Sequence, residues 1–313
     1  MQIMMRSFKT RDGKIVPADD VSENVWVRLT QPTIDEISLV ARTLNVDVTD
    51  VSASLDRDEG SRFEVLDNGV LLLVDIPYEN NSNEISTYDT IPLAIISSNK
   101  AVVTVCQMES SIIGKFSDSS ICNVTLDDRI DFILKVLYGI SLEYQQYLRK
   151  ISARCKEIET NINRSTENSD IIELHQLELS LVYFITSLRA CNVVLDKMNR
   201  YIEKGNDKAN LDLLHDVIIE NEQAIEMATI YREVIDSARE LFVAVMNNKL
   251  NSVMKWLTSI TVILSIPMII SGIYGMNVEL PLMYDRFAFV YVMILLIIIC
   301  TMGIFVLKRK KLL

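Results

Sequence analysis

Six positions, Met254, Leu257, Thr261, Ser265, Met268 and Gly272, follow one another at steps of three or four, the last five within one uncharged stretch. On a helix they share one stripe. That stripe carries two hydroxyls and a glycine, whereas Ile260, Ile263, Leu264 and Ile270 beside it are aliphatic. Polar side chains in a membrane span tend to face a bundle interior or water, so the stripe can line an ion path. Small and hydroxyl residues also serve plain helix packing, and the spacing alone leaves both uses open.

Other chemistry finds no support. There is no nucleophile with a plausible base, no pair of catalytic carboxylates and no cofactor fingerprint, so an enzyme is not expected. No G-x-x-x-x-G-K phosphate loop is present, which leaves ATP-driven pumping without an engine. The two histidines, His175 and His215, are distant from the uncharged stretch and read as surface or packing residues. Cys106, Cys122, Cys155, Cys191 and Cys300 are odd in number and show no C-x-x-C spacing, so they read as reduced thiols.

The elements that must position the stripe lie in the last sixty or so residues. No residue between Lys255 and Glu279 is charged, and a second uncharged run of twenty-one residues extends from Phe287 to Leu307. A bilayer core needs ~20 apolar residues, so each run suffices for a span. A short link beginning Tyr274-Gly275-Met276-Asn277 joins them into a membrane hairpin. Lys249 and Lys255 precede the first run and Lys308, Arg309, Lys310 and Lys311 follow the second, so both termini are expected in the cytoplasm. The link, with Glu279 and Asp285, then faces outward. Two carboxylates there would concentrate cations, although they are also ordinary loop solubilisers.

The 313 residues leave room for a sizeable soluble part before the hairpin. A net charge of −11 argues against nucleic acid as a partner. Met1 to Thr10 holds no apolar core of signal-peptide length, so the N-terminus is not expected to be exported. Val25, Val27 and Leu29 alternate with Trp26 and Arg28 as in a strand, and Thr33 with Glu36 forms a capping-box start for a helix reaching about Leu44. A second short helix is predicted from Thr49 to Leu55. Asp67-Asn68-Gly69 between Phe63-Val65 and the apolar run Val70 to Ile76 predicts a hairpin, and Thr90 to Ser97 with Ala101 to Cys106 predicts another. Residues 1–122 are therefore expected to form an α/β domain.

Helical periodicity then takes over. Predicted helices run from Ile130 to Ile162, from beyond the polar stretch Arg164 to Asp170 to about Ile202, and from Leu211 to Gly272 after a break at Gly205-Asn206-Asp207. The last would be about 90 Å long. Residues 123–253 are read as a helical stalk and 254–313 as the membrane hairpin with its basic tail. Met227, Tyr231, Val234, Ala238, Leu241 and Val245 step by four and three, the repeat of a left-handed coiled coil. That face can pack on a second copy or on the chain's own preceding helices. Two spans cannot by themselves enclose an aqueous pore, so a homo-oligomer is expected.

Tyr274-Gly275-Met276-Asn277 resembles the signature of CorA-type magnesium and cobalt transporters. The approach to it, with Asn251, Met254, Lys255, Leu257 and Thr258, is similar to the family's N-x-x-M-K-x-L-T, and Pro267, Gly272 and Ile273 extend the likeness. Upstream, Leu55, Asp56, Glu59 and Arg62 resemble the family's L-D-x-x-E-x-x-R, with Tyr88, Pro92 and Ile95 placed as in its cytoplasmic domain. By their residue types alone, Asp56, Asp58 and Glu59 beside two arginines read as a solvated, self-paired loop.

The resemblance implies a homopentamer in the cell membrane, with Mg²⁺ as the transported and regulatory ion and no resident cofactor. It makes Gly275, Met276 and Asn277 the selectivity filter, with a ring of Asn277 carbonyls receiving the ion. Neutral amides suit Mg²⁺, which dehydrates reluctantly, and weak binding lets it leave again. Met254 and Leu257 would form an apolar constriction near the inner face. Asp216, in Asp216-Val217, resembles a family position implicated in intersubunit metal binding, so intracellular Mg²⁺ bridging acidic residues is expected to close the pore. The chain departs from the pattern in three places. Met268 stands where a threonine is usual, Ile219 replaces a second acid, and no M-P-E-L stretch follows the signature, so Glu279 is only a loose substitute. A related zinc-transporting branch carries G-I-N, and a tethered scaffold that no longer transports would keep the same fold.

Overall fold

The computed structural model describes residues 5–11, 13–18, 24–80, 87–118, 124–162, 168–205, 207–278, 280–281 and 284–310. These form two compact units, Met1–Arg239 and Glu240–Leu313.

The first unit is built on a seven-stranded sheet in the order β2-β1-β3-β7-β6-β5-β4. The strands are β1 (Met5–Arg11), β2 (Lys14–Ala18), β3 (Val25–Thr30), β4 (Arg62–Leu66), β5 (Gly69–Asn80), β6 (Thr87–Ser98) and β7 (Ala101–Cys106). Only the β3–β7 pair is parallel. Alternate residues of the central strands enter opposite cores. Leu71, Leu73, Ala94, Ile96, Val103 and Val105 pack under α1 (Ile34–Leu44) and α2 (Val48–Ser52). Leu72, Val74, Leu93, Ile95 and Val102 join the core of α3 (Ser111–Ser117), α4 (Arg129–Ile162), α5 (Asn168–Gly205) and the first part of α6 (Lys208–Tyr274). Burial on both faces is why Val70 to Val74 reads as a continuous apolar run instead of an alternation.

The expected capping box is present: the Glu36 amide donates to Thr33 Oγ1 at 3.3 Å, and Glu36 Oε2 accepts from the Thr33 amide at 2.8 Å. The Asp67-Asn68 turn joins β4 to β5, with Leu66 opposite Gly69. Gly69 is needed for close backbone approach, since a Cβ there would lie 1.8 Å from the Ser97 carbonyl oxygen. Trp26 and Arg28, which alternate with Val25, Val27 and Leu29 along β3, are both buried. Trp26 Nε1 donates to Thr104 Oγ1 at 2.9 Å, and Arg28 donates to Ser117 at 2.9 Å and Glu109 at 2.6 Å, so each polar group has a partner.

The β1–β2 hairpin and α3 carry no long apolar run and were not predictable from periodicity. In the hairpin only Phe8 and Ile15 are fully buried. Helix begins again at Asn168, so the last three residues of the polar stretch read as a break are helical; residues 163–167 and Asn206 lie outside the described residues. In the acidic loop Glu59 pairs with Arg62, and Asp56 accepts the Asp58 amide, as self-paired loop residues do.

Within the second unit, α6 continues to Tyr274 and α7 spans Ala288–Arg309. Among the described residues, three helices are long and apolar enough to cross a membrane: Ser169–Gly205, Lys208–Tyr274 and Ala288–Arg309. Half of the apolar window in the first is buried within the protein, against 6% and 0% in the other two. Apolar surface of α5 is therefore largely used by the soluble core.

Candidate ion pathway

The site is assembled from α6, whose two sides differ. Ser259 is 2% exposed, and Ile263, Ile266 and Ile270 are half-buried. A Cβ at Gly303 of α7 would lie 3.5 Å from Ile266 Cδ1, so the Ile266 side of α6 packs toward α7. On α7 the half-buried positions Val292, Leu296, Cys300, Gly303 and Leu307 recur at steps of three and four and form the matching side.

The stripe Met254, Leu257, Thr261, Ser265, Met268 and Gly272 lies elsewhere. At about 100° per residue its centre is roughly 180° from the Ser259, Ile263, Ile266 and Ile270 side. Its members are exposed except half-buried Ser265, so α7 does not cover it. Thr261 Oγ1 donates to the Leu257 carbonyl at 2.9 Å and Ser265 Oγ to the Val262 carbonyl at 2.8 Å. Each hydroxyl proton is thereby committed to the backbone, and the oxygen retains acceptor capacity. The arrangement suits a hydrated cation, whose water hydrogens donate outward.

Beyond the stripe, the Gly275 amide donates to the Ser271 carbonyl at 2.9 Å and the Met276 amide to the Ile273 carbonyl at 3.2 Å. A Cβ at Gly275 would approach the Ser271 oxygen to 3.1 Å, so glycine permits the tight end of the helix. Met276 and Asn277 are exposed after that end. Asp285 accepts the Phe287 amide at 2.8 Å and so fixes the entry to α7. Glu279 lies outside the described residues.

Asp216 belongs to the first unit. With Lys115, Lys135, Tyr138 and Glu143 it lines a cavity of about 400 Å³ between α3, α4 and α6. Glu143 is 4% exposed; burial pushes its carboxyl up, while the Ser111 hydroxyl and then Lys115 and Lys150 pull it down. Lys135 pairs with Asp131 at 2.7 Å. Among the described residues no three His, Cys, Asp or Glu side chains are placed to hold a metal. Lys115 of α3 and Lys135 and Glu143 of α4 were not signalled by the sequence, because they meet Asp216 from other helices and carry no motif.

A family model described as CorA-like Mg²⁺ transporter protein matches residues 21–309. The cobalt/magnesium transport protein CorA of Methanocaldococcus jannaschii is 27% identical over 312 residues, covering 96% of each chain. The protein of the same name from Thermotoga maritima is 22% identical over 313 residues, covering 98% of this chain and 88% of that one. The complete structure of the CorA magnesium transporter from Methanocaldococcus jannaschii matches with a TM-score of 0.83 at 24% identity, over 99% of this chain and 98% of that chain. By the extent of the family match, reaching from the sheet through α6 into α7, this chain belongs to the CorA-like Mg²⁺ transporter family.

Proposed function

We propose that this protein is a membrane transporter for divalent cations, chiefly Mg²⁺ and also Co²⁺, which enter passively along the membrane potential. The observation that carries this reading is the α6 stripe, which bears Thr261 and Ser265 on the side remote from α7 and ends at Gly275-Met276-Asn277. The cobalt/magnesium transport named for both relatives agrees with it.

In this reading α6 and α7 are the two spans and both termini are cytoplasmic. Several copies, a pentamer by family resemblance, surround one axis with the stripe innermost. Val234 and Leu241 of the coiled-coil repeat are exposed in the single chain and offer a face to a neighbour, whereas Ala238 is used by the chain's own packing. Residues 1–122 act as the cytoplasmic α/β domain, 123–253 as the stalk and 254–313 as the pore hairpin. Asn277 receives the hydrated ion at the outer mouth, and Met254 and Leu257 close the inner end.

The driving force needs no catalytic group. A divalent ion moving down an inside-negative potential gains ~4.6 kcal/mol per 100 mV, on the rule of about 2.3 per charge. That corresponds to about a thousandfold accumulation, and what the cell then requires is closure. Intracellular Mg²⁺ at Asp216 is the proposed closing signal. Asp216 and the buried Glu143 beside Lys115 and Lys135 do not make a dication site, so acids of a neighbouring copy must complete it.

The test is Mg²⁺ entry into proteoliposomes under an imposed inside-negative potential, native protein against Asn277→Ala. Potential-dependent entry that disappears in the variant is expected. Absence of entry in both, with cobalt and zinc also tried, would overturn the proposal and leave the tethered scaffold.

A further inference from the structure

The stripe is not uniform along its length. From the inner end it reads Met254 and Leu257, then Thr261 and Ser265, then Met268, then Gly272. Met268 is 73% exposed, against 52% for Met254 and 53% for Leu257, and Gly272 beyond it adds no side chain. Met268 is thus the last large side chain on the stripe before the Gly275 turn. At ~1.5 Å per residue it stands about 16 Å outward of Leu257, with both hydroxyls in the interval.

Resting on the pore reading above, we infer that Met268 forms a second dry constriction and sets the rate of ion passage from the outer side. A ring of thioether side chains offers no oxygen to a hydrated dication. A hydrophobic ring of this kind resists wetting, and an ion that keeps its water shell meets a barrier there. Methionine has three rotatable bonds, so the ring can part by rotamer change. The preceding residue is Pro267, which lies inside α6 and has no amide hydrogen to donate to Ile263. The helix therefore has a weakened rung next to the proposed constriction, where a small bend would move Met268. The segment of Thr261 and Ser265 is then closed at both ends by apolar side chains, Leu257 inward and Met268 outward.

The test uses full-length protein in proteoliposomes. Met268→Thr is expected to raise the initial Mg²⁺ entry rate about fivefold or more by wetting the ring, while Met268→Leu stays within about twofold of the native rate. Equal rates in the threonine and leucine variants would overturn the inference. A second readout is independent of Mg²⁺ flux. In a Cys300→Ser background, a thiol introduced by Ser265→Cys is treated with a small cationic methanethiosulfonate from the outer side, and protein retaining Ser265 gives the background. Labelling is expected to be about tenfold faster when Met268→Thr is also present, because the reagent must pass the ring. Labelling at one rate with either residue at 268 would overturn the inference and leave the pore intact. A thiol that is never labelled would overturn the pore-facing stripe itself.

Discussion

The contact between Gly303 and Ile266 fixes which side of α6 is left uncovered by α7, and it can be perturbed by size. A Cβ at Gly303 would sit 3.5 Å from Ile266 Cδ1, an ordinary van der Waals separation, so Gly303→Ala should be accommodated. Gly303→Leu adds three further carbons into space that the Ile266 terminal methyl already bounds. Overpacking of this kind costs about 1–3 kcal/mol, here in every subunit. Shortening the opposing side chain should return part of that loss, so Gly303→Leu with Ile266→Ala is expected to be more stable than the sum of the two single changes predicts. The coupling should be of order 1 kcal/mol, as for residues in direct contact. The assay is reversible unfolding of the purified full-length protein in mixed micelles, run as a double-mutant cycle with Gly303→Ala as the size control. If Gly303→Leu is as stable as Gly303→Ala, or the cycle closes with no coupling, the packing of α6 on α7 is not as described. The argument that the hydroxyl stripe lies opposite α7 would fail with it.

The Asp75 carboxyl is pushed up by burial, against the Ser187 hydroxyl that donates to it at 2.6 Å and pulls it down. A carboxyl raised in the folded state favours its neutral form, so its contribution is fully present below the unfolded value of 3.8 and is lost as pH rises through the folded value. Asp75→Asn keeps an acceptor for Ser187 and removes the buried charge; thermal melting should show it more stable than native protein at pH 7–8, with the difference shrinking as pH falls toward 4. A difference that does not change over that range would refute the assignment. Gly69→Ala should be among the most damaging single-atom changes in the sheet, because the added Cβ meets backbone, the Ser97 oxygen at 1.8 Å, and no rotamer can relieve it. Soluble expression and the melting midpoint check this, with Gly60→Ala, where a Cβ meets nothing within 4 Å, as the harmless comparison.

Much of this protein is written in local pattern. The capping box at Thr33 and Glu36 needs only four consecutive residues to specify it, and the hairpins at Asp67-Asn68 and Asn99-Lys100 follow from turn residues between apolar runs. The two uncharged runs and the three- and four-residue spacing of the stripe are likewise properties of the chain alone, because helix periodicity is set by the backbone. Strands β1 and β2 were illegible for the converse reason: β1, with mostly polar side chains, exists by hydrogen bonding to β3, and the short edge strand β2 exists by pairing with β1, partners no local pattern announces. The cavity around Asp216 is illegible in the same way, since Lys115, Lys135 and Glu143 meet it only once α3, α4 and α6 are packed.

Ser259 and Ser265 show where the boundary falls. Both are hydroxyl residues in the uncharged run of α6, and composition treats them alike. Helical periodicity assigns them to different sides, but periodicity does not say which side a neighbour will cover. Packing of α6 against α7 does: it goes with Ser259 and Ile266 and leaves Ser265 on the side where Thr261 and Met268 remain uncovered. The sequence determined that this helix has a polar stripe, because side-chain direction along a helix is fixed by 3.6 residues per turn. Only the tertiary structure decided that the stripe lies away from α7, because burial is a property of a pair of elements.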